Sequence, residues 1–153
     1  MTQQKTYNNP IPVAVALIPV RVDDDIKLLG VVRAKDDGVG ELALPGGYLE
    51  GLDYVELAAS KEVSQEVGED IAIPPEDWQL FMSRTAPNGR LLVFALLNRV
   101  LEGDVLQDRL PACDEVSGYG YISVDTPLAF DLHEQAVKKF YEALAAYRAV
   151  QTA

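Results

Sequence analysis

The chain has one cysteine, one histidine and one tryptophan in 153 residues, and these scarcities exclude several chemistries. A lone Cys113 closes no intrachain disulfide and builds no thiolate zinc site. A lone His133 rules out a multi-histidine metal centre. Any metal bound here must be held by oxygen ligands, which favours magnesium, manganese or calcium. Basic residues are also scarce, 13 Lys and Arg against 24 Asp and Glu, for a net charge of −11. That balance argues against gripping a nucleic-acid backbone, which takes clustered Lys and Arg. A nucleotide is still allowed, because a bound cation reverses the local field. Long apolar runs are missing too. The longest, IPVAVALIPV at 11–20, is too short and too proline-broken to cross a bilayer, so no membrane partner is expected. The opening MTQQKTYNNP lacks the charged-then-apolar layout of a secretory signal. The expected compartment is the cytoplasm, with Cys113 a reduced thiol.

What is present is a globular composition, 48% apolar and 24% charged. The length suits one domain with a real core, expected over residues 11–150 after a polar tail at 1–10. Residues 13–22 read as a strand interrupted or bulged at Pro19, and Asp23-Asp24-Asp25 as a solvated turn into a strand at 26–34. A second turn at Asp36-Asp37-Gly38 leads to a short strand at 41–44 that runs into Pro45-Gly46-Gly47. Residues 53–67 contain neither Gly nor Pro and read as a helix, with Asp53 near its N-cap and Gly68 at its C-cap. Strands at 78–85 and 90–101 flank the turn Ala86-Pro87-Asn88-Gly89. A polar loop at 102–116, a short strand at 119–124 and a long amphipathic helix complete the chain. That helix carries Phe140, Leu144 and Tyr147 and follows a capping-box spacing at Asp131-Leu132-His133-Glu134. The order implies a mixed sheet with at least two helices, an α/β fold.

The helix at 53–67 holds the chemistry. On a wheel of roughly 100° per residue, Val55, Ala59, Val63 and Val67 form an apolar stripe. Glu66 falls only about 20–40° from the middle of that stripe and Glu62 roughly 70–80° from it. A solubilising glutamate would point the other way, as Lys61 does. Two carboxylates four residues apart at an apolar edge repel each other unless a cation sits between them. One or two carboxylates plus substrate phosphate oxygens form a typical magnesium site. From the helix alone, glutamates that snorkel to the solvent edge explain the pattern equally well. The Gly-Gly turn ahead of it allows close backbone approach to a ligand.

These residues carry a resemblance. The stretch from Gly47 to Glu69 resembles the Nudix box, G-x5-E-x7-R-E-U-x-E-E-x-G-U, where U is a bulky aliphatic residue. Gly47, Glu62, Val63, Glu66 and Gly68 match as written, Asp53 and Lys61 keep only the charge, and Gln65 stands in place of a glutamate. Leu44-Pro45-Gly46-Gly47 resembles the family's lead-in. The resemblance implies an α/β/α sandwich with a mixed β-sheet and hydrolysis of a nucleoside diphosphate linked to another group, using Mg²⁺ or Mn²⁺ and water. By the same resemblance the metal ligands are the Gly46 carbonyl, Glu62, Gln65 and Glu66. Glu115, from the loop before the aromatic strand, matches a later glutamate that binds metal or acts as base in many members. Catalysis is thus expected from Glu62, Glu66 and Glu115, with the general base either Glu62 or Glu115.

The departures carry physical weight. Gln65 offers a carbonyl oxygen without charge and should weaken metal binding. Asp53 and Lys61 replace a Glu–Arg pair that braces the loop against the helix, and lysine lacks arginine's bidentate fork. They also motivate an alternative reading, a Nudix-fold nucleotide-binding or sensor module that turns its ligand over poorly. The substrate-binding candidates are Tyr48, which could stack on a base, and Arg33 and Arg84, which could clamp phosphate. The expected partner is a small nucleoside-diphosphate compound. Dimerisation is common in the family, and the sequence carries no independent mark of it.

Overall fold

The computed structural model describes residues 6–152. Of the expected polar tail, residues 1–5 lie outside the described residues, while 6–10 are exposed and have no regular secondary structure. Nine strands and two longer helices follow. Strands β1 (Ile11–Leu17), β5 (Gly46–Tyr48), β6 (Trp78–Thr85) and β7 (Arg90–Leu97) form one sheet in the order β5-β1-β7-β6. The β1–β7 pair is parallel and the outer pairs are antiparallel. The second sheet is built on β3 (Asp25–Arg33), with β9 (Val116–Ile122) along one edge. The other edge is shared by β2 (Pro19–Val22) and β4 (Leu42–Ala43), and β8 (Leu101–Glu102) runs beside β2. Helices α1 (Val55–Glu66) and α2 (Asp131–Thr152) complete the set.

Side-chain alternation explains the layering. Successive residues of a strand point to opposite faces. Ala16, Ile18 and Val20 pack in a cluster with Ala59, Val63 and Val67 of the α1 segment. Val15 and Leu17 face the opposite way and pack with Ala136, Val137 and Phe140 of α2. Strand β7 divides likewise, Ala95 and Leu97 toward α1, Leu92 and Phe94 toward α2. The sheets are therefore sandwiched between α1 and α2, the α/β/α arrangement that the sequence implies. Each fully buried aliphatic side chain contributes roughly 1.5–3 kcal/mol.

Several boundaries differ from the sequence reading. The run at 13–22 is two strands, because at Ile18 the chain leaves one sheet for the other. The Ile18 carbonyl accepts the Leu29 N–H at 3.0 Å, and Pro19, with no N–H to give, opens β2. Asp23 and Asp24 both have positive φ, 50° and 66°, which matches the right-handed twist of a two-residue hairpin between β2 and β3. Helix α1 is capped by Tyr54 rather than Asp53, whose carboxylate is engaged elsewhere. The strand expected at 90–101 ends at Leu97 and resumes as β8. The capping box at 131–134 does not form. The Glu134 carboxylate instead accepts the Leu128 N–H at 2.9 Å. Tyr147 is exposed, so the apolar stripe of α2 stops near Leu144.

Candidate active site

Strand β5 lays Gly46 and Gly47 opposite Val15 and Ala14 of β1. The backbones are crowded here. A Cβ on Gly46 would stand 2.7 Å from the Ala14 carbonyl oxygen, and one on Gly47 would overlap the Glu62 carboxylate. The glycine pair thus lets α1 rest Glu62 directly on the β5 backbone. The lead-in is held at both neighbours: the Pro45 carbonyl accepts the Ala16 N–H at 2.7 Å, and the Leu44 N–H donates to His133 Nδ1 at 3.2 Å.

One turn along α1, Glu66 is buried, with 5% of its surface exposed. Its Oε2 is enclosed and has no hydrogen-bond partner. Burial above all, then the charges of Glu62 and Glu115 and a hydrogen bond with Glu62, push its carboxyl up to about 8; the Gly46 N–H partly offsets this. Burial also raises Glu62, with Glu115 and Glu50 adding to the rise and Glu66 opposing it through their hydrogen bond. Two carboxylates held together in a buried site, one with an enclosed unpartnered oxygen, are well suited to a hard divalent ion. Among the described residues no three His, Cys, Asp or Glu side chains form a ready-made cage. Such a site would be completed by backbone and ligand oxygens.

Glu115 is exposed and approaches from the opposite wall. Its carbonyl accepts the Ala34 N–H at 2.9 Å, just beyond the β3–β9 ladder that pairs Arg33 with Val116. The preceding loop is tied to the end of α1. Tyr119 donates its hydroxyl to the Glu66 carbonyl at 2.5 Å and accepts the Ala112 N–H at 3.1 Å. Arg109 forks onto both Asp70 carboxylate oxygens at 2.7 Å and reaches the Val67 carbonyl at 3.4 Å. Between helix and loop lies a cleft of about 560 Å³ lined by Gln65, Glu66, Glu115 and Lys35, among others. Gln65 is exposed on its rim.

The bracing pair meets: Lys61 Nζ donates to Asp53 Oδ1 at 2.6 Å, which lowers the Asp53 carboxyl, and Asp53 Oδ2 accepts the Glu50 N–H at 3.4 Å. Tyr48 and Arg84 are not brought to the carboxylates. They lie in one row with Val13 and Leu92, so their side chains leave the sheet on the α2 face, away from Glu62. The Arg90 guanidinium lies 5.6 Å over the Tyr48 ring, and Arg84 donates to the Ser83 carbonyl at 2.7 Å. Arg33 donates to the Asp37 carbonyl at 2.6 Å and stands 4.9 Å over Phe130.

A sequence model of the NUDIX domain matches residues 10–144. The chain belongs to the Nudix family. Solved structures agree on the fold. The NUDIX domain of Shewanella oneidensis NrtR, solved with ADP ribose, superposes with a TM-score of 0.72 at 18% identity, over 90% of each chain. A Caenorhabditis elegans Ap4A hydrolase gives 0.68 at 15% identity, over 88% of this chain and 98% of that one. A bifunctional NMN adenylyltransferase/ADP ribose pyrophosphatase from Francisella tularensis, solved with AMP and a manganese ion, gives 0.65 at 22% identity, over 91% of this chain and 43% of that one. Comparison with curated protein sequences returns no match. In this Nudix domain the sequence reading missed Lys35, Arg109, Tyr119 and His133. His133 had a signal: it opens an i, i+3, i+4, i+7 stripe with Ala136, Val137 and Phe140. The contacts that Arg109 and Tyr119 make with Asp70 and the end of α1 span 39 to 53 residues and leave no local trace.

Proposed function

We propose that the chain is a Nudix hydrolase that cleaves the diphosphate linkage of a nucleoside diphosphate joined to another group. The observation that carries this reading is the enclosed, unpartnered Glu66 Oε2 beside Glu62, beneath the Gly-Gly backbone. Glu62 and Glu66, with the Gly46 carbonyl and the Gln65 amide oxygen, would hold Mg²⁺ or Mn²⁺. When bound, that ion supplies charge neutralisation for the diphosphate and acidifies a water. The chain's own residues do the rest. Gly46 and Gly47 let Glu62 lie against the β5 backbone, Glu62 or Glu115 takes the proton of the attacking water, and the 107–115 loop screens the cleft. The place of action is the cytoplasm, where Cys113 stays a thiol. Relatives bound to ADP ribose and AMP support nucleotide compounds as the first to try.

The test is release of nucleoside monophosphate from a panel of such compounds with Mg²⁺ or Mn²⁺. Glu62→Gln and Glu66→Gln should each lose roughly hundredfold or more in rate. Full activity in both variants would refute the assignment. The second reading, a nucleotide-binding module with little turnover, is favoured by the neutral Gln65 on the cleft rim. Under that reading Gln65→Glu raises the rate strongly, while wild type gains thermal stability from ligands it does not cleave.

A further inference from the structure

The cleft between α1 and the 107–115 loop is walled by Gln65, Glu66, Glu69, Asp114 and Glu115, and Lys35 is the only basic residue among its lining residues. Acidic walls repel phosphate, so the cation among them is the lining group that can attract it. Among the described residues, Lys35 forms no ion pair and no side-chain hydrogen bond, although four carboxylate residues line the same cleft. Lys27, Lys61, Arg21, Arg99 and Arg109 are ion-paired, whereas Lys35 shares its lack of a carboxylate partner with Lys138 and Arg148 and differs from them in lining the cleft. The backbone around Lys35 is nevertheless held firmly. The Ala34 N–H is bonded to the Glu115 carbonyl, and Arg33 reaches the carbonyls of Lys35 at 3.4 Å and Asp37 at 2.6 Å. On the α1 wall of the cleft Gln65 carries no charge.

We propose that Lys35 is a substrate-positioning residue, whose ammonium holds the phosphoryl group lying away from Glu62 and Glu66 in a bound diphosphate. The proposal rests on the diphosphate chemistry proposed for this cleft and assigns its cationic contact. A lysine binds phosphate as a mobile point charge, which suits a terminal or bridging phosphoryl group and requires no fixed fork. Arg33, by contrast, serves the turn that presents Lys35.

Inorganic pyrophosphate is the probe. Its affinity is measured by calorimetry with and without Mn²⁺ for wild type, Lys35→Ala, Lys35→Glu and Lys35→Arg, and Mn²⁺ affinity alone is read by electron paramagnetic resonance. Lys35→Ala should weaken pyrophosphate binding roughly tenfold or more. Lys35→Glu should weaken it further and Lys35→Arg should keep most of it. Mn²⁺ affinity without pyrophosphate should hold or rise when the nearby cation is removed. With a hydrolysed substrate, Lys35→Ala should raise KM more than it lowers kcat. Unchanged pyrophosphate affinity in Lys35→Ala and Lys35→Glu, a parallel loss of Mn²⁺ affinity, or no pyrophosphate binding by wild type each overturns the proposal. If Lys35 governs pyrophosphate binding and no compound in the panel is hydrolysed, only the hydrolase reading fails. If hydrolysis is strong and indifferent to Lys35, only the Lys35 assignment fails.

Discussion

At the scale of single residues, the site depends on what is missing at Gly47. Any Cβ there would overlap the Glu62 carboxylate, so the helix and β5 can approach only because the side chain is a hydrogen. Gly47→Ala should cost about 1–3 kcal/mol in urea denaturation, the usual range for forcing atoms into a packed site. It should also weaken Mn²⁺ binding by displacing Glu62. The partner in the clash is known, so a double-mutant cycle isolates it. In a Glu62→Ala background most of the Gly47→Ala penalty should vanish. Additive penalties would show that the glycine answers to some other constraint.

At the scale of elements, α1 is braced locally at its start and tied along its length and at its end by groups from elsewhere in the chain. Its start is braced by the Lys61–Asp53 contact, and Trp78 Nε1 donates to Ser60 Oγ at 2.9 Å along its length. Its last carbonyls receive Tyr119 and Arg109, which tie the 107–115 loop down. Tyr119→Phe keeps the ring packed and removes only the hydroxyl, leaving the Glu66 carbonyl and the Ala112 N–H without that bond. The expected cost is about 1–2 kcal/mol, with faster hydrogen exchange at the Ala112 amide and through the loop. Unaltered exchange at Ala112 would show that the hydroxyl does not tether it. Much of this layer was legible in the sequence. Helix α1 was readable because 3.6-residue periodicity is local, and so were the β6 boundaries and the Ala86–Gly89 turn. The interruption of the 13–22 run was legible at Pro19, but the switch of sheets there was not, since only pairing shows which sheet each half joins. The carboxylates of the site were legible as a stripe on a wheel. The loop's tether was not, because it is made by residues far apart in sequence.

At the scale of the whole molecule, each face of the sandwich buries one polar titratable side chain among the described residues, Glu66 under α1 and His133 under α2. Their effects on stability have opposite sign. His133 accepts the Leu44 N–H at Nδ1, so protonation there would break that bond. Burial first, then the charge of Arg33, lowers it from 6.5 to about 3. Between those values the unfolded chain binds the extra proton, so stability rises with pH. Glu66 is raised from 4.5 to about 8, and between those values the folded chain binds the extra proton, so stability falls with pH. Each slope is roughly 1 kcal/mol per pH unit at full effect. The two oppose each other between about 4.5 and 6.5, so metal-free stability changes least there, with the raised Glu62 adding to the downward side. Below that window His133, joined by the lowered carboxyls of Asp25, Asp53 and Asp70, makes stability drop toward acid. Above it Glu66 and the raised Glu62 act together and stability drops toward pH 8, with the repulsion of a −11 chain in the same direction. Metal-free Tm should therefore change least across that window and decline on both sides. Saturating Mn²⁺, competing with the proton at Glu66, should raise Tm more at pH 8 than at pH 6. Glu66→Gln, neutral at every pH, should remove most of the alkaline decline and of the Mn²⁺ response. A metal-free Tm that climbs steadily from pH 6.5 to 8 is incompatible with a protonated Glu66 beneath α1, and the buried carboxylate would then have to be paired in some other way.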